Sequence, residues 1–505
     1  MRPLSKILFA TLVISTPALF FACDGGTKDD EGMAGSGGTD GSESGGSSSS
    51  GGSTAPSGGA TGSGAAVGSG GENLGGGGLG GDTSTGGTDP GCFTVQAAPA
   101  VDCTGLSGTD LFTVDDCLGG DGPTAAVACY TDQGAFTEEA SWMAGWTNWS
   151  SDSTPEDAGC ASDGLITACD SGVCEYPKGV YDLKGTIYVT DGATIKFAPG
   201  TIIRGAASPK GSIIISRGAK IDAVGTQEEP IIFTSSAPNG SKGSGQWGGL
   251  ILLGKARNFH GDAFNIEGLA AVPENQHGGL EDDDDSGTLK YVRLEFGGVD
   301  LGGGNEINGL SLGSIGSETE LSYIQINTTL DDGFEFFGGM VDGDHFVVNN
   351  AGDDMYDADD GYRGTVSYLF GRHVTPVTGD PNGFELDGDN DAGTVPSGYE
   401  VNTTGTFENA TLCTDSFLDG QAAVGYGAVL RRDFGGTLDS IVLAGFDHGI
   451  DLRESTVDLE VTNTQIWDMV VSDFNDANTA GVDGGGDPVD EATWFAAGSG
   501  NEVLP

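Results

Sequence analysis

Three groups of aspartates stand close together in the second half of the chain: Asp331 and Asp332; Asp353, Asp354, Asp357, Asp359 and Asp360; and Asp387, Asp389 and Asp391. So many oxygen ligands suit a hard cation such as Ca²⁺. Asp331, Asp332, Asp353, Asp354, Asp357, Asp359, Asp387 and Asp389 are therefore the candidate metal ligands. The run Asp357-Ala358-Asp359-Asp360-Gly361 is similar to the start of a Ca²⁺ loop, but Thr365 to Phe370 lacks the acid that closes one. Carboxylates stacked in this way also offer acid and base for cleaving a polysaccharide, which requires two of them to flank the bond. A lyase needs a base as well, and Arg363, Arg372 and His373 are the nearby cationic or imidazole groups. The competing explanation is turn chemistry, because Asp-Gly, Asp-Asp and Asn-Asn bond their own backbone. The five histidines form no nucleophilic arrangement, and no residue is nominated as catalytic. The acidic run Asp282 to Asp285 reads as a solvated insertion.

Positioning these groups is the task of a repeat. From about residue 177 short β-branched runs alternate with Gly, Asp and Asn. Ile195, Ile213, Ile231 and Leu250 centre four successive runs 18, 18 and 19 residues apart, and Ile202 and Ile221 begin a second series. Repeats of about 20 residues with more than one strand each suit the coils of a parallel β-helix. Asp332 and Asp354 are 22 residues apart, one coil in this reading. Later runs such as Tyr291–Leu294, Tyr323–Ile326 and Ile441–Leu443 alternate apolar and polar residues. Ten to twelve coils at about 4.8 Å each are expected. Asp487, Pro488 and Asp490 resemble the start of a helix over Ala492–Ala497 that ends at Gly498 and covers the last coil.

Of nine cysteines, Cys92, Cys103, Cys117, Cys129, Cys160, Cys169, Cys174 and Cys413 form an even set of disulfide candidates, consistent with an exported chain. Their pairing is open, and one member of the 92–174 cluster is expected to reach Cys413 unless a thiol stays free. Zinc is disfavoured, since the short Cys169-x4-Cys174 spacing has no histidine nearby. Residues 92–176 read as a disulfide-stapled cap over the exposed end of the β-helix. Thr137-Glu138-Glu139 opens a predicted helix there, with Trp142, Met143 and Trp146 as packing residues.

The ninth cysteine, Cys23, follows Leu19-Phe20-Phe21-Ala22, a segment that resembles a bacterial lipobox. Residues 1–22 have a basic start and a 16-residue uncharged run from Ile7, the layout of an export signal. Cys23 is thus the expected lipidation site. Residues 24–91 hold 27 glycines and no aromatic residue, so residues 23–91 read as a disordered tether spanning roughly 45 Å. No later stretch is long and apolar enough to cross a bilayer. With 20 basic and 75 acidic residues the net charge is −55, which argues against nucleic-acid partners.

Several segments carry a family likeness: Trp142–Asn148, Gly200–Gly205, Ala219–Thr226, Pro230–Ser235, Trp247–Gly254 and Asp331-Asp332-Gly333-Phe334-Glu335-Phe336-Phe337-Gly338-Gly339. They resemble, in order, a family of bacterial right-handed parallel β-helix lipoproteins of unsettled function. The likeness implies the solenoid fold and a surface location, and it supplies no activity. With the cysteine and repeat readings, the expected chain is an all-β solenoid with an N-terminal disulfide-rich cap over 92–176 and a β-helix over 177–505. The expected role is a non-enzymatic protein, lipid-anchored in the cell envelope at the outer membrane or cell surface. It would present a rigid face to carbohydrate or an envelope protein, with Ca²⁺ as a possible cofactor. A polysaccharide lyase or hydrolase and a structural envelope component are the alternatives.

Overall fold

The computed structural model describes residues 95–504 apart from 108–110, 120–121, 138, 154–155, 158, 301–305, 375–380, 389–394, 415–424, 454–458 and 475–489. The chain divides into two units, residues 1–86 and 87–505, and the strands and helices of the described residues belong to the second. The export signal, Cys23, the tether, Cys92, Asp389 and Asp391 lie outside the described residues.

The fold is a parallel β-solenoid. Among the described residues its strands form a 16-stranded and a 10-stranded sheet, called here the first and second sheets. Each coil gives the second sheet one strand, so ten coils are counted, within the expected range. Along that sheet Ile187, Ile213, Leu250, Leu310, Phe334, Tyr356, Phe384, Ala428 and Ile450 stand in line, side chains inward. The repeat length differs from expectation. Ile195 aligns with Ile221 and Ile231 with Val292 in the first sheet, whereas Ile213 aligns with Leu250 in the second. The 18- and 19-residue spacing therefore steps between faces of the solenoid. Similar β-branched runs occur on every face, so spacing alone could not separate them.

In the early coils the first sheet takes two short strands per coil, such as Ala193–Phe197 and Ile202–Gly205. Later they fuse into one bent strand, first in Gly287–Glu295. The bend falls on one left-handed residue per coil: Tyr291, Tyr323, His345, Tyr368, Asn409, Ser440 and Asn463, with φ from 48 to 60°. Such φ values are unfavourable for bulky residues. Here Tyr291, Tyr323, His345 and Tyr368 stack successively, with centroids 4.4, 4.3 and 4.8 Å apart, and that contact offsets the cost.

The Cys-rich segment is a strap along the side of the solenoid, not a lid on its end. Trp142, Met143 and Trp146 pack with Val347, Phe370, Val442 and Trp467 of the first sheet. The tryptophans are packing residues as expected, but the predicted helix is a series of turns, since Ser141 (φ 62°) and Gly145 (φ 85°) break helical geometry. Short helices lie at Val114–Cys117 and Ala125–Ala128 instead. Disulfides join Cys103 to Cys129, Cys117 to Cys413 and Cys169 to Cys174, and Cys160 is also disulfide-bonded. The Cys169–Cys174 bond rules out zinc at that pair. The solenoid itself starts at Gly164–Leu165 and Gly172–Tyr176, inside the stretch expected to be cap.

At the far end a helix spans Glu491–Ala497 and stops at Gly498. Its N-cap is Asp490, whose side chain accepts from Thr493 N. Phe495 enters the solenoid core, and the Glu491 carboxylate accepts from Leu452 N.

Candidate metal centre

Three strands of the second sheet, Phe334–Gly339, Tyr356–Asp359 and Phe384–Asp387, carry the candidate site. Strand alternation sends Phe334, Phe336, Tyr356, Ala358, Phe384 and Leu386 into the core. The intervening residues face outward in register: Glu335 beside Asp357 beside Glu385, and Phe337 beside Asp359. Gly338 and Gly339 end the first of these strands at φ 70 and 90°. A Cβ on Gly339 would lie 2.5 Å from the Ile315 carbonyl oxygen, so the turn needs glycine.

The turn before each strand adds more carboxylates. Asp354 N donates to Asp332 Oδ1 (2.9 Å), Asn382 N to Asp354 Oδ1 (3.3 Å) and Tyr426 N to Asn382 Oδ1 (3.0 Å). One oxygen of Asp332 and of Asp354 thus accepts from the backbone of the next coil, not from its own turn as the turn explanation expects. One carboxylate oxygen from each residue converges in three overlapping sets, each within 4.8 Å: Asp331, Asp332 and Asp353; Asp332, Glu335 and Asp357; Asp354, Asp357 and Glu385.

Burial, and then the charges of their neighbours, push Asp332, Glu335, Asp354, Asp357 and Asp359 well above the usual carboxylate range. Asp357 Oδ1 and Asp359 Oδ1 are buried without a hydrogen-bond partner among the described residues. Elsewhere partners are present: Glu335 accepts from the neutral Asn308 Nδ2, and Arg431 pairs with Glu385 and Asp387. Arg432 Nη1 lies 2.9 Å from Asp387 Oδ2.

Of the sequence candidates, Asp331, Asp332, Asp353, Asp354 and Asp357 fall in these sets, with Asp359 and Asp387 on the same face. Asp360 points elsewhere and meets His260 Nε2 at 2.8 Å. Glu335 and Glu385 were missed. The alternations Phe-Glu-Phe, Tyr-Asp-Ala-Asp and Phe-Glu-Leu-Asp held the signal, because period two puts every acid on one face. The suggested bases do not reach the site. Arg363 pairs with Asp282 (3.1 Å), while Arg372 and His373 lie buried on the first sheet. Burial there pushes His373 down to about 4.

The run Asp282–Asp285 is not simply solvated. Asp282 binds Arg257 and Arg363, and Asp285 pairs with Lys220. These contacts anchor an insertion whose antiparallel strands are Phe264–Asn265 and Gln276–His277. Its Ile266 packs with Ile251, Leu253 and Phe337, so the insertion covers the second sheet up to the edge of the carboxylate face.

No curated protein matches the chain, and no solved structure does. A family model described as a pectate-lyase like beta helix domain matches residues 168–500, a span that takes in all ten strands of the second sheet. With more than half its length matched and its strands stacked in register over those residues, the chain belongs to the pectate-lyase-like beta-helix domain family.

Proposed function

We propose that this protein is a non-enzymatic, lipid-anchored component of the cell envelope whose second sheet binds surface carbohydrate through a divalent cation, Ca²⁺ by its ligand chemistry. The observation that carries this reading is Asp357, half-buried and common to two of the carboxylate sets, whose Oδ1 is out of solvent with no partner among the described residues. Carboxylates crowded away from water must take up protons or gather around a cation, and an all-oxygen set favours a hard one. Asp332, Glu335, Asp354 and Glu385 would hold the ion with Asp357. Calorimetric titration of the chelator-treated chain with Ca²⁺ tests this. Saturable binding that Asp357→Asn weakens at least about tenfold, or roughly 1.4 kcal/mol, is the expected result. The absence of binding would reduce the cluster to turns and overturn the reading. Glycan binding with and without chelator then tests the carbohydrate role.

A second reading, a polysaccharide hydrolase, is favoured by Glu335, whose raised pKa keeps a proton available as a general acid requires. Release of reducing ends from acidic or neutral polysaccharides would select it. A lyase is less well served, because the guanidiniums at this face, Arg431 and Arg432, are engaged by Glu385 and Asp387.

A further inference from the structure

The strap is fastened differently at its two ends. Downstream, the Cys117–Cys413 disulfide and the cluster around Trp142 and Trp146 hold it. Upstream, Cys160 packs on Val180, Ile202 and Ile232, Asn148 is bonded to Gln325 and Asn327, and between these contacts the strap rests on buried charges. Arg293 Nη2 binds Glu156 and its Nη1 donates to the Gln96 carbonyl oxygen (2.9 Å). Lys242 Nζ reaches Asp157 Oδ1 (3.1 Å) and Thr234 Oγ1 (3.2 Å), and Arg204 Nη1 stands 3.9 Å from Asp157 Oδ2. Arg293, Glu156, Asp157 and Lys242 are all buried.

A further carboxylate enters this layer. Glu295 lies two residues beyond Arg293 on the same strand and face, 1% exposed, with the Thr234 hydroxyl as its hydrogen-bonding neighbour. Its Oε1 is 4.0 Å from Arg293 Nη1, while the same guanidinium is engaged by Glu156. One arginine is therefore shared by two carboxylates, one on the strap and one on the sheet. Around Glu295 stand Arg293 on its own strand, Glu156 and Asp157 from the strap, Lys242 from the loop before Leu250–Leu253, and Thr234 from Ile231–Ser235; Arg204 faces Asp157 from Ile202–Gly205.

We propose that Glu295 is a proton-controlled release for the upstream end of the strap. While Glu295 is protonated, Arg293 stays with Glu156 and the strap lies flat on the first sheet. Once ionised, Glu295 competes for Arg293, and the segment around Glu156 and Asp157 lifts while the disulfide retains the rest. Burial, and then the charge of Glu156, push the Glu295 carboxyl up to about 7 despite Arg293 and Lys242, which puts the transition near neutrality. A lifted strap returns Glu295 to water and its ordinary pKa of about 4.3, so opening is favoured as pH rises.

Hydrogen exchange of the full chain, corrected for intrinsic rates, reads the opening directly. Linkage between a pKa of about 7 closed and about 4.3 open predicts faster exchange of the amides near Asp152, Glu156 and Asp157, by roughly 30-fold or more from about pH 5.5 to about pH 8.5. Peptides around Cys117 should not change. Glu295→Gln should stay closed and pH-independent. Glu156→Gln, which frees Arg293 for Glu295, should exchange fast at every pH and serves if Glu295→Gln does not fold. Flat wild-type exchange, or an unchanged pH dependence in either variant, would overturn the proposal.

Discussion

Asp357 and Asp359 share a sheet face with Glu335, and Asp332 and Asp354 crowd it from the preceding turns, so each carboxylate is unfavourable for the next. All five have folded pKa values above the unfolded values of about 3.9 for Asp and 4.3 for Glu. Groups shifted this way stabilise the fold below the unfolded pKa and lose that contribution as pH rises through the folded one. Asp282 has the opposite sign. Burial would raise it, but hydrogen bonds from Arg257 and Arg363 hold it well below the ordinary range, so its contribution is present above about pH 4 and fades in acid. Between about pH 5 and about pH 8 the five raised carboxylates, with Asp284 and Glu295, favour the lower pH against the buried His277 and His373 and the half-buried His448, whose lowered values favour the higher. The chelator-treated protein is therefore expected to melt lower at about pH 8 than at about pH 5. Added Ca²⁺ should recover the difference by binding only the folded state. Thermal scans across pH with and without the ion check this, and a melting temperature that rises with pH in chelator would contradict it.

At the level of elements, the strap and the bent strands of the first sheet depend on each other. Trp146 is fully buried and meets Tyr291 and Tyr323 edge-on, at 6.0 and 5.9 Å between centroids. Those rings occupy left-handed positions that their stacking makes tolerable. Trp146→Ala is expected to cost about 3–5 kcal/mol, the usual range for emptying a buried aromatic site. Since Trp142 and Trp149 report on the strap, urea unfolding should show their fluorescence changing before the far-UV β signal is lost. Coincident transitions would mean that strap and solenoid unfold as one unit. The sequence made the tryptophans legible as packing residues, because their spacing shows an apolar stripe. It did not show the turns that carry them, since Ser141 takes a positive φ and its hydroxyl accepts from Val101 N, a contact 40 residues distant.

Across the folded unit, the Cys117–Cys413 bond links residues 296 apart and ties the strap to a late coil. Closing so long a loop constrains the unfolded chain, and removing such a bond typically costs about 2–5 kcal/mol. The Cys117→Ala/Cys413→Ala double variant should therefore unfold at lower denaturant with a larger m-value, since its unfolded chain exposes more surface. An unchanged midpoint would show that the aromatic contacts alone hold the strap.

Composition and short patterns determined the solenoid class, the helix that ends at Gly498, the expectation that Cys413 pairs with the early cysteine cluster, and most of the acidic face. Each rests on local chemistry: β-branched runs between turn residues, Gly498 after an apolar helix, and aspartates in number. Coil register, the partner of Cys413, the lateral path of the strap and the inclusion of Glu335 and Glu385 were decided only in three dimensions. Coil lengths vary from the 22 residues between Phe334 and Tyr356 to the 60 between Leu250 and Leu310. Insertions such as the one anchored by Asp282 therefore shift the linear spacing while the parallel hydrogen-bond ladder keeps the strands aligned. Which carboxylates become neighbours is set by that ladder, and a periodicity in the sequence cannot supply it once the coils differ in length.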